Sequence, residues 1–425
     1  MLKLSVNHSR DGFLRGGRPF FYLADTCWSA FTNAAPDEWE EYLNYRKAQD
    51  FNVLQINILP QWDCCVEHPA ALPFAIGADG KYDYFNLNEA YFARAQQFIQ
   101  MAVERGFVPA LVVLWSDHVP GTWASRRMPD HIIPFEAVKP YVSYIAKIFS
   151  RFNPVYIVSG DTDFETAEAV KYYLAALETI KNVSPEALTT LHLCGAFTDL
   201  PSEIENSPNL DFYMYQSGHD RRSQYLAYAM AETFYKKSVK RPVVNGEPCY
   251  EGHGFGCEYG RFSSFDVRKA VWSSLLSGAK AGVTYGAHGI WSFHKKGNSF
   301  PAEAYSKTPF PWKDALRLPG AWDVSFARSL FEEWKLYDLE PADLLIGGFP
   351  DIRMSVSKSR DKVAIYIPYA LKVTIGAEFR DFDWTLVDLA NRRFAKPDVV
   401  ISEGKTVIPM YDANADALVV GRRLL

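Results

Sequence analysis

Two carboxylates have the setting that bond-cleaving chemistry needs. Asp161 ends Val-Ser-Gly-Asp and Glu247 ends Val-Val-Asn-Gly-Glu, so each follows an apolar run and a glycine. A glycosidic bond is cut by such a pair. One carboxyl holds a proton for the leaving oxygen, and the other stays ionised to attack or stabilise an oxocarbenium-like centre. Gly160 and Gly246, lacking Cβ, are expected to leave room for a sugar ring beside the backbone. Asp161 has an ordinary alternative as a cap for the segment starting Thr162-Asp163-Phe164. Glu247 directly follows a buried run, where an unpaired acid is costly, so it reads as functional. Glu165 and Glu251 are reserve acids, as is Asp163.

Other polar and aromatic residues stand at the ends of similar apolar runs. Asp25 and Trp28 follow the first run, Trp62 the second, Trp115 and His118 the third, and Asp163 the fourth. His192 lies in the fifth; Gln216 and His219 end the sixth, Tyr250 follows the seventh, and Tyr285, His288 and Trp291 end the eighth. All are expected to bind substrate. Aromatic rings stack on the apolar faces of sugars, while imidazoles and amides bond hydroxyls or orient a carboxylate. Plainer alternatives exist for each: Asp25 can cap the helix near Pro36, a strand-end His can be structural, and a Trp can pack a loop.

Residues spread this widely meet only if the strand ends converge. The apolar runs are Phe20–Ala24, Val53–Leu59, Val108–Leu114, Val155–Ser159, Leu188–Cys194, Phe212–Tyr215, Pro242–Asn245 and Gly282–Tyr285. Helix-period segments lie between them. Tyr91, Phe92, Ala95, Phe98, Ile99 and Ala102 share one helix face that Gly106 stops, and Val138 through Phe152 gives a second. Pro36-Asp37-Glu38 is a helix start. Eight βα units predict an α/β fold, a closed (β/α)8 TIM barrel, whose chemistry sits at the C-terminal strand ends. A doubly wound open sheet is the runner-up; it lacks a Gly-rich dinucleotide fingerprint, since Asp25-Thr26-Cys27-Trp28 stands in that place. The barrel is assigned to residues 1–339. Residues 340–425 hold short strand-like runs without helical period, which predicts a small all-β sandwich without catalytic groups.

Composition narrows the partners. A net charge of −5 without a Lys/Arg-rich run excludes nucleic acid, and no stretch approaches the ~18 apolar residues that span a membrane. The N-terminus shows no signal-peptide run, so an intracellular, cytoplasmic protein is expected, one that would finish imported oligosaccharides. Cys27, Cys64, Cys65, Cys194, Cys249 and Cys257 form no CxxC pair, which predicts reduced thiols. No cofactor is expected. A metal-dependent hydrolase using His118, His192 and His219 is a weaker reading, because no His-x-His or His-x-x-x-His pair is present. A non-catalytic carbohydrate-binding protein is the alternative from another class.

The segments Phe21–Trp28, Asn52–Gln55, Ser159-Gly160-Asp161, Gln216–His219, Gly246–Gly252 and Tyr285–Trp291 together resemble the apiosidase-like family of glycoside hydrolases. The resemblance covers about residues 1–335, and the tail resembles the β-domain of collagen-binding type that often follows in that family. It implies a TIM barrel with an acid at strand four and a glutamate at strand seven, which match Asp161 as acid/base and Glu247 as nucleophile. One departure is visible: related retaining barrels place Asn-Glu at strand four, where this chain has Gly160-Asp161. A shorter acid widens the gap, and ~5 Å suits retention while ~6.5–9.5 Å suits inversion. Retention is expected.

Overall fold

The computed structural model describes residues 2–63, 72–411 and 416–424. Cys64 and Cys65 lie outside the described residues; Cys27, Cys194, Cys249 and Cys257 are free thiols.

Eight parallel strands form the barrel: β1 (Tyr22–Thr26), β2 (Val53–Asn57), β3 (Val108–Trp115), β4 (Val155–Gly160), β5 (Thr189–Thr190), β6 (Tyr213–Gln216), β7 (Val243–Glu247) and β8 (Gly282–Tyr285). Their order is β5-β4-β3-β2-β1-β8-β7-β6. A parallel bridge between His192 and Met214 joins the two ends, and Asp211 N–H donates to Thr189 O at 3.0 Å. The fold is therefore a TIM barrel. All eight residues of β3 are buried, as expected for strands covered on both faces, whose sequences read as continuous apolar runs. β5 is shorter than the run Leu188–Cys194 because its later residues leave the ladder for single bridges, His192 to Met214 and Leu193 to Thr162.

The main outer helices are α1 (Pro36–Ala48), α2 (Glu89–Glu104), α3 (Phe135–Phe149), α4 (Ala167–Val183), α5 (Leu226–Lys236), α6 (Ser264–Leu275) and α7 (Gly320–Glu333). Their starts follow from local chemistry. Pro36 opens α1 and Glu38 accepts the Ala35 N–H at 2.8 Å; Asn88 caps α2 through Ala90 N–H at 3.2 Å. The apolar face of α2 is buried as its spacing requires. No helix among the described residues is long and apolar enough to cross a membrane.

Two cores result. One lies between strands and helices; the other fills the barrel interior and continues to Trp28, Trp115, Tyr250 and Trp291 at its mouth. An antiparallel sheet of Leu4–Val6, Phe13–Arg15 and Arg18–Phe20 closes the opposite end, where Phe13 packs edge-on against Phe212.

After α7 and a single 3-10 turn at Leu336–Asp338, the described residues are all β. Two antiparallel sheets, of six and four strands, enclose a third core that includes Ile365, Ile375, Trp384 and Val419. The first of these strands, Leu339–Pro341, pairs with Arg353–Ser357. On the barrel side, Ala364, Tyr366, Val387 and Leu418 join the outer barrel core. Arg268 on α6 bonds Asp323 of α7 at 2.8 Å and Asp416 of the β-unit at 2.7 Å, so helix and sheet are tied by both packing and charge.

Candidate active site

Asp161 follows the last residue of β4. Its φ of 52° is left-handed, a region that Asp enters more readily than most residues. Two contacts hold it there: Trp123 Nε1–H donates to Asp161 O at 2.9 Å, and Asp161 N–H donates to His192 Nδ1 at 3.2 Å.

Glu247 is placed by a bulge. Val244 and Met214 face the barrel interior, so simple alternation would turn Glu247 outward with Asn245, which bonds Ser274 on α6 at 3.0 Å. The β6–β7 register instead runs from Tyr215↔Asn245 to Gln216↔Glu247 and leaves Gly246 as the extra residue. That step re-aims the Glu247 side chain into the mouth. The expected role of the two glycines is corrected here. A Cβ on Gly160 would lie 2.1 Å from the Trp115 ring and one on Gly246 would lie 2.2 Å from Met214 Cγ. Both glycines admit protein side chains rather than a sugar.

Two histidines then fix the charge on Glu247. His219 Nε2 lies 2.8 Å from Oε1 and His192 Nε2 lies 3.0 Å from Oε2, the latter off the line of a hydrogen bond. Each Nδ1 accepts a backbone N–H, from Tyr250 at 3.3 Å and from Asp161 at 3.2 Å respectively. Both rings are left with the proton on Nε2, facing the carboxylate. Burial alone would raise the Glu247 carboxyl, but the two imidazoles outweigh it and hold it down at about 2. Asp161 moves the other way. Burial first, then the charge of Glu247, push it up to about 7, and the residue lines the cavity. Below about pH 7 the two carboxyls thus hold one proton, on Asp161, and one charge, on Glu247, an arrangement suited to an acid and an anion working together.

The pair opens into a cavity of about 610 Å³. Of the residues expected from sequence, Trp28, Trp62, Trp115, Gln216, His219, Tyr250 and Trp291 line it with Asp161 and Glu247. The others are not among its lining residues. His192 sits behind Glu247. Asp25 is sealed in an ion pair with Arg46 at 2.6 Å and accepts the Tyr42 hydroxyl at 2.7 Å. His118 contacts Pro60 O at 2.9 Å through Nε2 and stacks on His131. Tyr285 donates to Glu251 at 2.7 Å. His288 contacts Lys307 O at 2.7 Å and accepts Trp291 Nε1–H at 3.2 Å, so both its nitrogens serve to hold that tryptophan. Asp163 lies on the β4–α4 connection.

Asp63, Trp123 and Arg127 are among the lining residues that were missed. Burial pushes Asp63 up to about 7, opposed by a bond from Gln61. As an acid shortly after an apolar run, it met the same criterion that selected Asp25. Trp123 and Arg127 sit in an irregular loop with no period, where Arg127 stacks over Trp62 and Trp123 at 4.9 and 5.4 Å.

Asp117, His118 and His131 bring ligand atoms within 4.8 Å of one another. His131 Nδ1 lies 3.0 Å from Asp117 Oδ2 and His118 Nε2 lies 2.9 Å from Pro60 O, while the buried Asp117 Oδ1 has no partner among the described residues. The donor set expected for a metal hydrolase is dispersed, since His192 and His219 serve Glu247 and His118 does not.

No curated protein matches the chain. A solved structure described as a glycoside hydrolase superposes over 99% of this chain and 97% of its own, with TM-score 0.82 and 20% identity. A glycoside hydrolase family 5 structure from Bacteroides vulgatus ATCC 8482 covers 99% and 93%, with TM-score 0.82 and 19% identity. A maltogenic alpha-amylase from Thermotoga neapolitana covers 95% and 99%, with TM-score 0.57 and 10% identity. These likenesses are of fold. The model of the apiosidase-like catalytic domain matches residues 10–338, and the chain therefore belongs to the apiosidase-like family of glycoside hydrolases.

Proposed function

We propose that the protein is a retaining glycoside hydrolase that cleaves an O-glycosidic bond of an oligosaccharide or glycoside, with Asp161 as acid/base and Glu247 as nucleophile. The observation that carries this reading is the placement of both carboxyls in one cavity at the barrel mouth, with Glu247 held ionised between His192 Nε2 at 3.0 Å and His219 Nε2 at 2.8 Å while burial holds the proton on Asp161.

In the first step Asp161 gives its proton to the glycosidic oxygen. The C1–O bond breaks with its electron pair going to that oxygen, and a Glu247 oxygen bonds C1. In the second, water attacks C1 and returns a proton to Asp161, while the Glu247–C1 bond breaks with its pair going back to the carboxylate. A carboxylate held near 2 is a weak base for water, which favours direct attack over the base role of an inverting enzyme. Trp28, Trp62, Trp115, Tyr250 and Trp291 supply apolar faces and edges for sugar rings. Asp63, which burial raises to about 7, carries a proton below that pH and can then donate to a sugar hydroxyl. The chemistry needs no cofactor. We place the division between catalytic barrel and β-sandwich at residue 339, where the β-unit's first strand begins.

Turnover of an aryl-glycoside and oligosaccharide panel by wild type, beside Glu247→Gln, tests the assignment. Wild type cleaves at least one member and the variant none. A variant as active as wild type on that substrate removes Glu247 from the chemistry.

A further inference from the structure

The connection between β3 and α3 brings an acid and two imidazoles together from its two ends. Asp117 and His118 stand in a 3-10 turn directly after β3, and His131 closes a second such turn before α3. One ligand atom from each lies within 4.8 Å of the other two. Asp117 and His118 are fully buried, while the His131 side chain is 20% exposed.

The bonds within this cluster leave two features unanswered. The first is the Asp117 carboxylate. His131 Nδ1 meets Oδ2 at 3.0 Å, but Oδ1, 3.9 Å from His118 Nε2, is buried without a partner among the described residues. Such an oxygen carries its full cost of desolvation. The second is the His118 ring. Nε2 faces Pro60 O at 2.9 Å and Nδ1 faces His131 O at 3.1 Å, yet a neutral imidazole has one N–H. The bare nitrogen is therefore set against a carbonyl oxygen. The Tyr84 hydroxyl, 3.3 Å from Nδ1, also donates to His131 O. One cation answers both features. With Nδ1–H donating to His131 O, His118 has the tautomer and the backbone bond that hold metal-ligating histidines. Nε2 then turns a lone pair toward the orphaned Asp117 Oδ1, with Pro60 O beside it.

We propose that Asp117, His118 and His131, with Pro60 O as a further oxygen donor, form a structural site for one divalent cation of the zinc class. Two imidazoles suit that class better than Mg²⁺ or Ca²⁺, which take oxygen ligands. A four-coordinate ion with bonds of about 2.0–2.1 Å spaces its ligands by roughly 3.3 Å, so the cluster closes by a small rotation of His131, its one member with solvent access. The ion takes the place of the His131 Nδ1 proton, which leaves to solvent. It takes no part in bond cleavage. It joins turn to turn across residues 119–130, the loop from which Trp123 donates to Asp161 O at 2.9 Å and Arg127 reaches the cavity. The inference stands apart from the roles given to Asp161 and Glu247.

The test is the zinc content of the full chain, purified without a metal-binding tag, stripped with chelator and dialysed at neutral pH against micromolar Zn²⁺. Wild type retains one Zn²⁺ per chain, and its melting temperature rises by about 3–5 °C at a hundredfold excess over the dissociation constant. His131→Gln, altered at the partly exposed member, and Asp117→Asn, which keeps the side-chain shape, hold none at that concentration and melt at the same temperature with and without zinc. If Asp117→Asn does not fold, His131→Gln decides alone. Wild type without zinc overturns the proposal and leaves His118 as an imidazolium paired with Asp117. Zinc that persists in His131→Gln overturns it too, since the ion then sits elsewhere.

Discussion

Two buried charge clusters in this protein are built to opposite ends. Around Arg268, every carboxylate oxygen has a partner: Asp416 takes Arg268 and the Tyr366 hydroxyl, and Asp323 takes Arg268 and Arg392. Cations and anions are interleaved, and the cluster joins α6, α7 and the β-unit. Around Glu247 three acids, Asp63, Asp161 and Glu247, couple to one another in the cavity. They are answered by the imidazoles of His192 and His219, the amides of Gln61 and Gln216 and the Cys194 thiol, with no cation among the described residues bonded to any of the three. Complementary charge holds parts together; like charge crowded at a cavity forces protons onto some groups and off others. The first pattern is structural, and the second is what acid–nucleophile catalysis requires.

The comparison can be broken at four places, from the largest effect to the smallest. Glu247→Gln lowers kcat by at least ~10⁴-fold, about 5.5 kcal/mol of activation free energy, and shifts the melting temperature by a few degrees at most, as read by initial rates and calorimetry. Arg268→Met does the reverse. Among the described residues it leaves Asp416 with only the Tyr366 hydroxyl and Asp323 with only Arg392, and it costs about 3–5 kcal/mol in denaturant unfolding, with kcat of the folded fraction intact.

Asp161→Asn lowers kcat/KM by ~10²–10⁴-fold on substrates with poor leaving groups, and far less on those whose leaving group needs no proton. The wild-type profile carries the matching sign. Because burial and Glu247 raise Asp161 to about 7, the proton is present below that pH, and kcat/KM falls about tenfold per unit above it. The same shift bears on stability. Folded Asp161 holds its proton more tightly than the unfolded chain does, so its contribution is present at low pH and lost as pH rises through 7. Asp161→Asn should therefore raise the melting temperature at pH 8 by a few degrees while leaving it nearly unchanged at pH 4. The smallest effect is Trp123→Phe. It deletes the donor to Asp161 O, costs about 1 kcal/mol, and lowers kcat a few-fold, with rates on activated substrates as the control.

Much of this was legible in the chain itself. Strands covered on both faces read as apolar runs, and α1, α2 and α3 announced themselves through Pro36, a helix face and its stop. Glu247 stood out because an acid closing such a run has few ordinary reasons to exist, whereas Asp161 had an ordinary reading as a helix cap and was picked out by its place across the mouth from Glu247. What was hidden depends on partners distant in sequence. Nothing local separates His192, which meets Glu247, from His118, which meets Pro60 O and His131, or from His288, which braces Trp291. Nor does sequence show that Gly246 is a bulge, since the evidence is a register step against β6. Asp25 had the outward signs of a site residue, but Arg46 and Tyr42 on α1 claim it. The Arg268 cluster was invisible for the same reason: residues 268, 323 and 416 share no motif.

The claim at the centre of this account is that Glu247 is the anion that attacks while Asp161 holds the proton. The most direct measurement is peptide mass analysis of enzyme quenched during reaction with a 2-deoxy-2-fluoro aryl glycoside of whichever sugar the panel selects. The account predicts a single glycosyl adduct on the peptide containing Glu247, absent in Glu247→Gln. An adduct on another residue, or product of inverted configuration with no adduct at all, would contradict it.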